Sequence, residues 1–253
     1  MSERLLGVLT AMRGRHAIAK AMLRSIPKEL RGWRVLTLVV MDETDVDEMR
    51  PFLRELYREG KLITYSVEEN SPLTKKWQRG LNYMRDFRLD ALCIMGSDDF
   101  ASPEFWQAGV DLVGITERPI GVRSCWMLEQ SSGRMGLFTM GSPERPVGCG
   151  RFYPKAALDS VGWILWDIDL DRGIDGAAED RMERLGIKID VVEIPGMILD
   201  VKGEGNINGF EKFQDFLGAG ISRFDRMVER EEAEKMLRDR GLELAIVPLA
   251  GVA

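Results

Sequence analysis

The chain has 253 residues, 45% of them apolar and 30% charged, with a formal net charge of −6. That balance excludes disordered and fibrous architectures and leaves a folded chain long enough for one large domain. Net acidity argues against any partner held by a generally basic surface, as nucleic acids are.

Three cysteines, Cys93, Cys125 and Cys149, with no CxxC spacing suggest neither a disulfide scaffold nor a zinc site. One histidine, His16, rules out a histidine-rich metal site. The N-terminus passes straight into a strand-like run, and the longest apolar candidate, Leu242 to Ala253, contains Glu243 and Pro248. A cytoplasmic protein without a membrane span is expected.

Leu5 to Thr10 reads as a strand, and Ala17 to Ile26 as a helix closed by Pro27. The loop between them carries Arg13, Arg15 and His16. Arginines beside a helix N-terminus favour anions, although two solvated loop arginines are the plainer reading. Val35 to Val40 is a β-branched run that ends at Asp42 to Asp45, and a helix follows from Val46 to Arg58. Asp42 can accept a hydrogen bond from a base or ribose, or serve the next helix as a cap.

Leu62 to Val67 is a third strand. Ser71-Pro72 then opens a helix whose stripe of Leu73, Trp77, Leu81 and Met84 predicts a core face, with Lys75, Lys76 and Arg79 on the edges. The fourth strand, Ala91 to Met95, ends in Gly96-Ser97-Asp98-Asp99, and Ser102-Pro103 starts a helix to Val113. Paired aspartates at the carboxyl end of a buried strand can hold a divalent cation against a phosphate; they can also be turn and capping residues. The strand-helix alternation predicts an α/β fold, a mostly parallel sheet with helices on both faces, whose ligand edge gathers Thr10, Asp42 and Asp98.

After residue 115 the pattern changes. Gly121 to Gln130 and Arg134 to Met140 predict a hairpin through Ser131-Ser132-Gly133. Gly148 to Pro154 reads as a tight turn before a helix from Pro154 to Val161. Asp175, Glu179 and Asp180 share a helix start that ends at Gly186, a place where the dipole favours carboxylates and where one of them could be a general base. Ile187 to Ile194 and Met197 to Val201 read as strands leading to Asp200, Lys202, Asn206 and Asn208. Ser222 to Arg240 reads as one charged helix with a sparse apolar face.

The order of these motifs resembles the GT-A glycosyltransferases, most closely the inverting family 2. The residues that carry the resemblance are Thr10, Asp42 to Asp45, Gln78-Arg79-Gly80-Leu81, Gly96-Ser97-Asp98-Asp99 with Pro103, and Glu179-Asp180 followed by Arg184-Leu185-Gly186. The match runs in order from about residue 5 to 110 and is thinner beyond. Gly96 stands where the usual Asp-x-Asp motif begins, and Gln78 stands in the usual asparagine place.

The resemblance implies a GT-A, Rossmann-like fold with a smaller mixed or antiparallel acceptor-side region. It divides the chain into a nucleotide-sugar-binding half, 1–115, an acceptor-side half, 116–210, and a C-terminal helical extension, 211–253. It implies transfer of a sugar from a nucleoside-diphosphate sugar to an acceptor hydroxyl, with inversion, assisted by Mn²⁺ or Mg²⁺ on Asp98. Donor contacts would come from Thr10, Arg13, Arg15, Asp42, Gln78, Ser97, Asp99 and Lys202, and the base from Asp180, Asp175 or Glu179. The acceptor stays open among small molecules, glycans, proteins and DNA bases; Lys75, Lys76 and Arg79 allow DNA, and the net charge does not support it. A homo-oligomer through the C-terminal helix is also open. The alternatives are a sugar-phosphate nucleotidyltransferase and a non-catalytic nucleotide- or metal-binding module.

Overall fold

The computed structural model describes residues 3–204, 206, 209–210, 212–213 and 222–246. Its larger sheet is built on β1 (Arg4–Ala11), β3 (Trp33–Met41), β4 (Leu62–Val67) and β5 (Ala91–Ile94), all running parallel. A short β2 (Glu29–Leu30) pairs antiparallel with the start of β3. Beyond β5 the sheet continues through β10 (Arg151–Pro154), β7 (Ile120–Gly121) and β11 (Asp190–Val191), with β10 antiparallel to both neighbours.

Strand alternation explains why helices cover both faces. Leu6, Val8, Val35 and Val39 face one core with Met22 and Leu23 of α1 (His16–Ser25) and Phe52 and Leu56 of α2 (Val46–Arg58). Leu9, Leu36, Leu38 and Val40 face a second core with Trp77, Leu81 and Met84 of α3 (Leu73–Met84). The predicted stripe on α3 is therefore core. Gly80 lets that helix come close: a Cβ there would stand 2.5 Å from Val40 Cγ2 and 2.7 Å from Leu9 Cδ1. A larger residue would cost about 1–3 kcal/mol in overpacking.

The second sheet is mixed, in the order β13 (Ser222–Val228), β9 (Met135–Met140), β8 (Ser124–Glu129), β12 (Ile198–Lys202), β6 (Asp99–Ala101). β8 and β9 form the expected hairpin. β6 begins at the second aspartate of the Asp98-Asp99 pair, so this motif is where the chain leaves one sheet for the other. Ser102 then caps α4 (Pro103–Val113), accepting from Phe105 N at 3.3 Å, and its hydroxyl also accepts from Met197 N at 2.9 Å.

Three sequence expectations are corrected here. The single helix over 222–240 is instead β13 followed by α7 (Arg230–Asp239), because Ser222 to Val228 pairs antiparallel with β9 across a bulge at Phe224/Arg226. The turn over Gly148 to Pro154 holds a fully buried strand, β10, recruited by β5 and β7 and followed by the short helix α5 (Lys155–Ser160). Of Ile187 to Ile194, only Asp190–Val191 is strand. Within the expected extension over 211–253, residues 211, 214–221 and 247–253 lie outside the described residues, as does Asn208. The described part of α7 buries Ala233 and Leu237 in the chain's own core. No helix among the described residues is long and apolar enough to cross a membrane.

Candidate active site

A cavity of about 450 Å³ opens between the two sheets, with carboxylates at both ends. One end is made by Asp98, Asp99 and Asp200, which can each offer an oxygen within 4.8 Å of the others. Strand register creates this cluster, because Asp200 on β12 lies directly across from Asp99 on β6. Like charges in that position repel, and the burial of Asp99 weakens the screening between them. Burial, then the charges of Asp200 and Asp98, push the Asp99 carboxyl well above the usual range. Burial raises Asp200 to about 6, against the pull of Lys202.

Two cations answer these charges. Lys202, two residues beyond Asp200 on the same strand face, reaches Asp200 Oδ2 at 2.5 Å and lies 5.0 Å from the Phe213 ring centroid. Burial opposes its charge, but Asp200 and Asp98 outweigh this and hold the ammonium protonated above its ordinary range. Arg15 donates to Asp98 Oδ2 at 2.7 Å and to the Val201 carbonyl at 3.3 Å, and Asn206 Nδ2 donates to the same Asp98 oxygen at 2.6 Å. Arg15 sits in the left-handed region, φ 48°, as the residue before α1, a conformation that costs a non-glycine residue of order 1 kcal/mol.

These residues fit a divalent cation. The donor set is hard carboxylate oxygen, and Asp200 Oδ1 is buried with no hydrogen-bond partner among the described residues. The sequence pattern marks Asp98 as the ligand and Asp99 as a donor contact, and it passes over Asp200; the signal for Asp200 is an acid and a base two apart, Asp200 and Lys202, in an otherwise apolar strand.

The opposite end of the cavity is formed by α6 (Ile174–Arg184) and the segment before β10. Glu179 is buried and held by Arg151 at 2.5 Å and Arg145 at 3.0 Å, with Arg151 itself 3% exposed. Asp180 is exposed, lies 3.8 Å from Arg145 and does not line the cavity. Asp175, in the first turn of the helix, does line it. The three candidate bases thus have three different environments.

The remaining expected residues spread along the carboxyl edge of the larger sheet. Thr10 is fully buried and its hydroxyl has no partner among the described residues. Asp42 accepts from Thr44 N at 3.2 Å and Thr44 Oγ1 at 2.9 Å, which lowers its pKa, and it lines a separate hollow with Glu43, Val67 and Glu68. Arg13 is exposed near Asp42 and Lys76. Ser97 is half-buried beside Asp98. Gln78 spends its amide on the 163–166 segment: Nε2 donates to Trp163 O at 2.7 Å, and Oε1 accepts from Leu165 N at 3.0 Å and Trp166 N at 3.2 Å. It seats Trp166 against the cavity but does not line it.

Lys76 departs from the expected edge position. It is fully buried and donates to Met12 O at 2.5 Å and Asn70 Oδ1 at 3.1 Å, and burial lowers its pKa to about 8. Lys75 and Arg79 are exposed and pair with Asp169 and Glu68. His16 meets buried Asp45 at 2.8 Å, and the same oxygen accepts from Gly14 N, so this histidine braces the loop that presents Arg15.

Solved structures with a similar fold include TarS of S. aureus, residues 1–349, in complex with UDP-GlcNAc, with a TM-score of 0.52, 16% identity, and 93% of this chain aligned to 71% of that one. They also include GalNAc-T7 with UDP, GalNAc and Mn²⁺, with a TM-score of 0.54, 10% identity, and 94% of this chain aligned to 55% of that one. The fold is GT-A. No protein-family model matches the chain, and no curated protein does. At such identities the likeness carries the fold alone, and family 2 stays an expectation from the motifs.

Proposed function

We propose that the chain is a metal-assisted glycosyltransferase that moves a sugar from a nucleoside-diphosphate donor to an acceptor hydroxyl with inversion. The observation that carries this reading is one cavity lined both by a cation-suited carboxylate cluster and by Asp175 on a separate helix. Leaving-group stabilisation and proton removal are needed on opposite sides of the anomeric carbon in an inverting displacement.

In this reading Asp98, Asp99 and Asp200 hold Mn²⁺ or Mg²⁺. When bound, the cation supplies Lewis-acid stabilisation of the departing diphosphate. Arg15 and Lys202 add fixed positive charge on the same side. Thr10, with its unpartnered hydroxyl, Arg13, Asp42 and Ser97 lie along the edge that would take the nucleoside and its phosphates. Gln78 serves the donor indirectly by seating Trp166, which lines the cavity with Trp77.

Asp175 is the proposed base, removing the acceptor hydroxyl proton. Glu179 is already committed to two arginines and Asp180 lies outside the cavity, which leaves Asp175 facing the reacting space. The donor's base and sugar and the acceptor are open in this proposal.

The test is hydrolysis of UDP-, GDP-, CMP- and dTDP-sugars with and without Mn²⁺, comparing wild type with Asp98→Ala and Asp175→Asn. Metal-dependent release of one nucleotide, lost in Asp98→Ala, is the expected result. Asp175→Asn is expected to lower kcat by about 10²–10⁴ with donor KM little changed. Release of pyrophosphate from a nucleoside triphosphate and sugar phosphate would point instead to a nucleotidyltransferase.

A further inference from the structure

We propose that Arg151, Glu179 and Gly148 form a positioning device that aims the Asp175 carboxylate into the cavity, so that Glu179 acts through Asp175 and not on the substrate. This rests on the reading of Asp175 as the base.

Arg151 is the centre of the device. Its Nε donates to Val147 O at 2.8 Å, Nη2 to Pro146 O at 3.2 Å and Glu179 Oε1 at 2.5 Å, and Nη1 to Asp175 O at 3.2 Å. A guanidinium is a rigid planar fork, so these bonds set the spacing between the 146–147 segment and the first turn of α6. Lysine, a point charge on a flexible stem, could not span both. Because the fork is buried, its charge needs a counter-charge within the same space, and Glu179 supplies it.

Helix geometry ties Glu179 to Asp175. They are four residues apart, one above the other on the same helix face, so a pull on Glu179 is a constraint on Asp175. Gly148 supplies the other wall. A Cβ at that position would stand 2.3 Å from Asp175 Oδ2 and 2.8 Å from its Cγ. Gly148 is not among the glycines with positive φ, so what a side chain there would disturb is the Asp175 carboxylate and not the backbone. Any side chain at 148 must push the carboxylate out of its place. A base displaced by about 1 Å loses the reach that proton transfer requires.

The experiment compares full-length wild type, Asp175→Asn, Gly148→Ala, Glu179→Gln and Arg151→Lys on the donor that wild type turns over in the four-sugar panel with Mn²⁺. It reads kcat, donor KM and melting temperature. Gly148→Ala is expected to lower kcat by about 10–100-fold, with donor KM within about two-fold and melting within a few degrees. Arg151→Lys is expected to lose kcat despite keeping its charge, and Glu179→Gln, which keeps an acceptor oxygen, to lose less than Asp175→Asn. An inactive Asp175→Asn beside a fully active Gly148→Ala would overturn the device while leaving Asp175 as base. A Glu179→Gln loss that exceeds that of Asp175→Asn would make Glu179 the base and overturn it too. Wild-type kcat in Asp175→Asn, or no turnover of any donor by wild type, removes the underlying reading and the device with it.

Discussion

The two ends of the cavity are both rich in carboxylates, yet they solve the problem of buried negative charge in opposite ways. At the Asp98 end, strand register forces Asp99 and Asp200 together, and the two nearby cations leave Asp200 Oδ1 without a partner among the described residues. At the α6 end, buried Glu179 is matched by two arginines, and the remaining carboxylates are exposed. Under-compensated charge marks a place for a cation; compensated charge marks a scaffold. The number of carboxylates at each end does not distinguish the two.

The sharpest way to break this comparison is to remove charge from the first end. Asp98→Ala and Asp200→Asn are each expected to lower metal-dependent donor cleavage by about 10²–10³, and Mn²⁺ titration calorimetry should show the site lost. Retained Mn²⁺ binding in both variants would place the cation elsewhere.

The second end should respond in stability. Arg151→Met leaves Glu179 buried without its main counter-charge, with an expected cost of about 3–5 kcal/mol. Urea unfolding checks this, and a cost below about 1 kcal/mol would show that Glu179 reaches water.

A third buried charge sharpens the contrast by pH. Lys76 carries a pKa lowered to about 8 from 10.5 by burial. Below pH 8 the group is charged in both folded and unfolded chains, and the burial penalty is present in full. Between pH 8 and 10.5 the unfolded chain binds the proton more tightly, so stability rises with pH through that window. Relative to Lys76→Met, wild type should gain on the order of 2 kcal/mol across it. A constant difference between the two proteins from pH 7 to 10.5 would mean that Lys76 stays charged.

The smallest expected effect is at Asp180. Exposed and 3.8 Å from Arg145, it should lower donor cleavage by less than about three-fold as Asp180→Asn, and change stability by under about 0.5 kcal/mol. A loss comparable to that of Asp175→Asn would exchange the two roles.

The first half is legible in local sequence signals. The β-branched run Val35 to Val40, the four-four-three spacing on α3, and the Ser102-Pro103 start of α4 each report on backbone conformation without help from distant residues. The strand-helix alternation also brings Thr10, Asp42 and Asp98 to one sheet edge, since strands that run parallel present their carboxyl ends together. The rest depends on long-range packing. Asp200 joins Asp99 through the pairing of strands about a hundred residues apart, β10 and β13 are strands because β5, β7 and β9 offer them partners, and the burial of Lys76 is offset by the hydrogen bond it donates to Met12 O. Likewise Asp175, Glu179 and Asp180 are chemically equivalent as letters on one helix, and differ only through Arg145, Arg151 and Gly148, which the fold brings to them from a distant segment. A residue's charge belongs to the sequence, but its neighbours and its access to water belong to the fold.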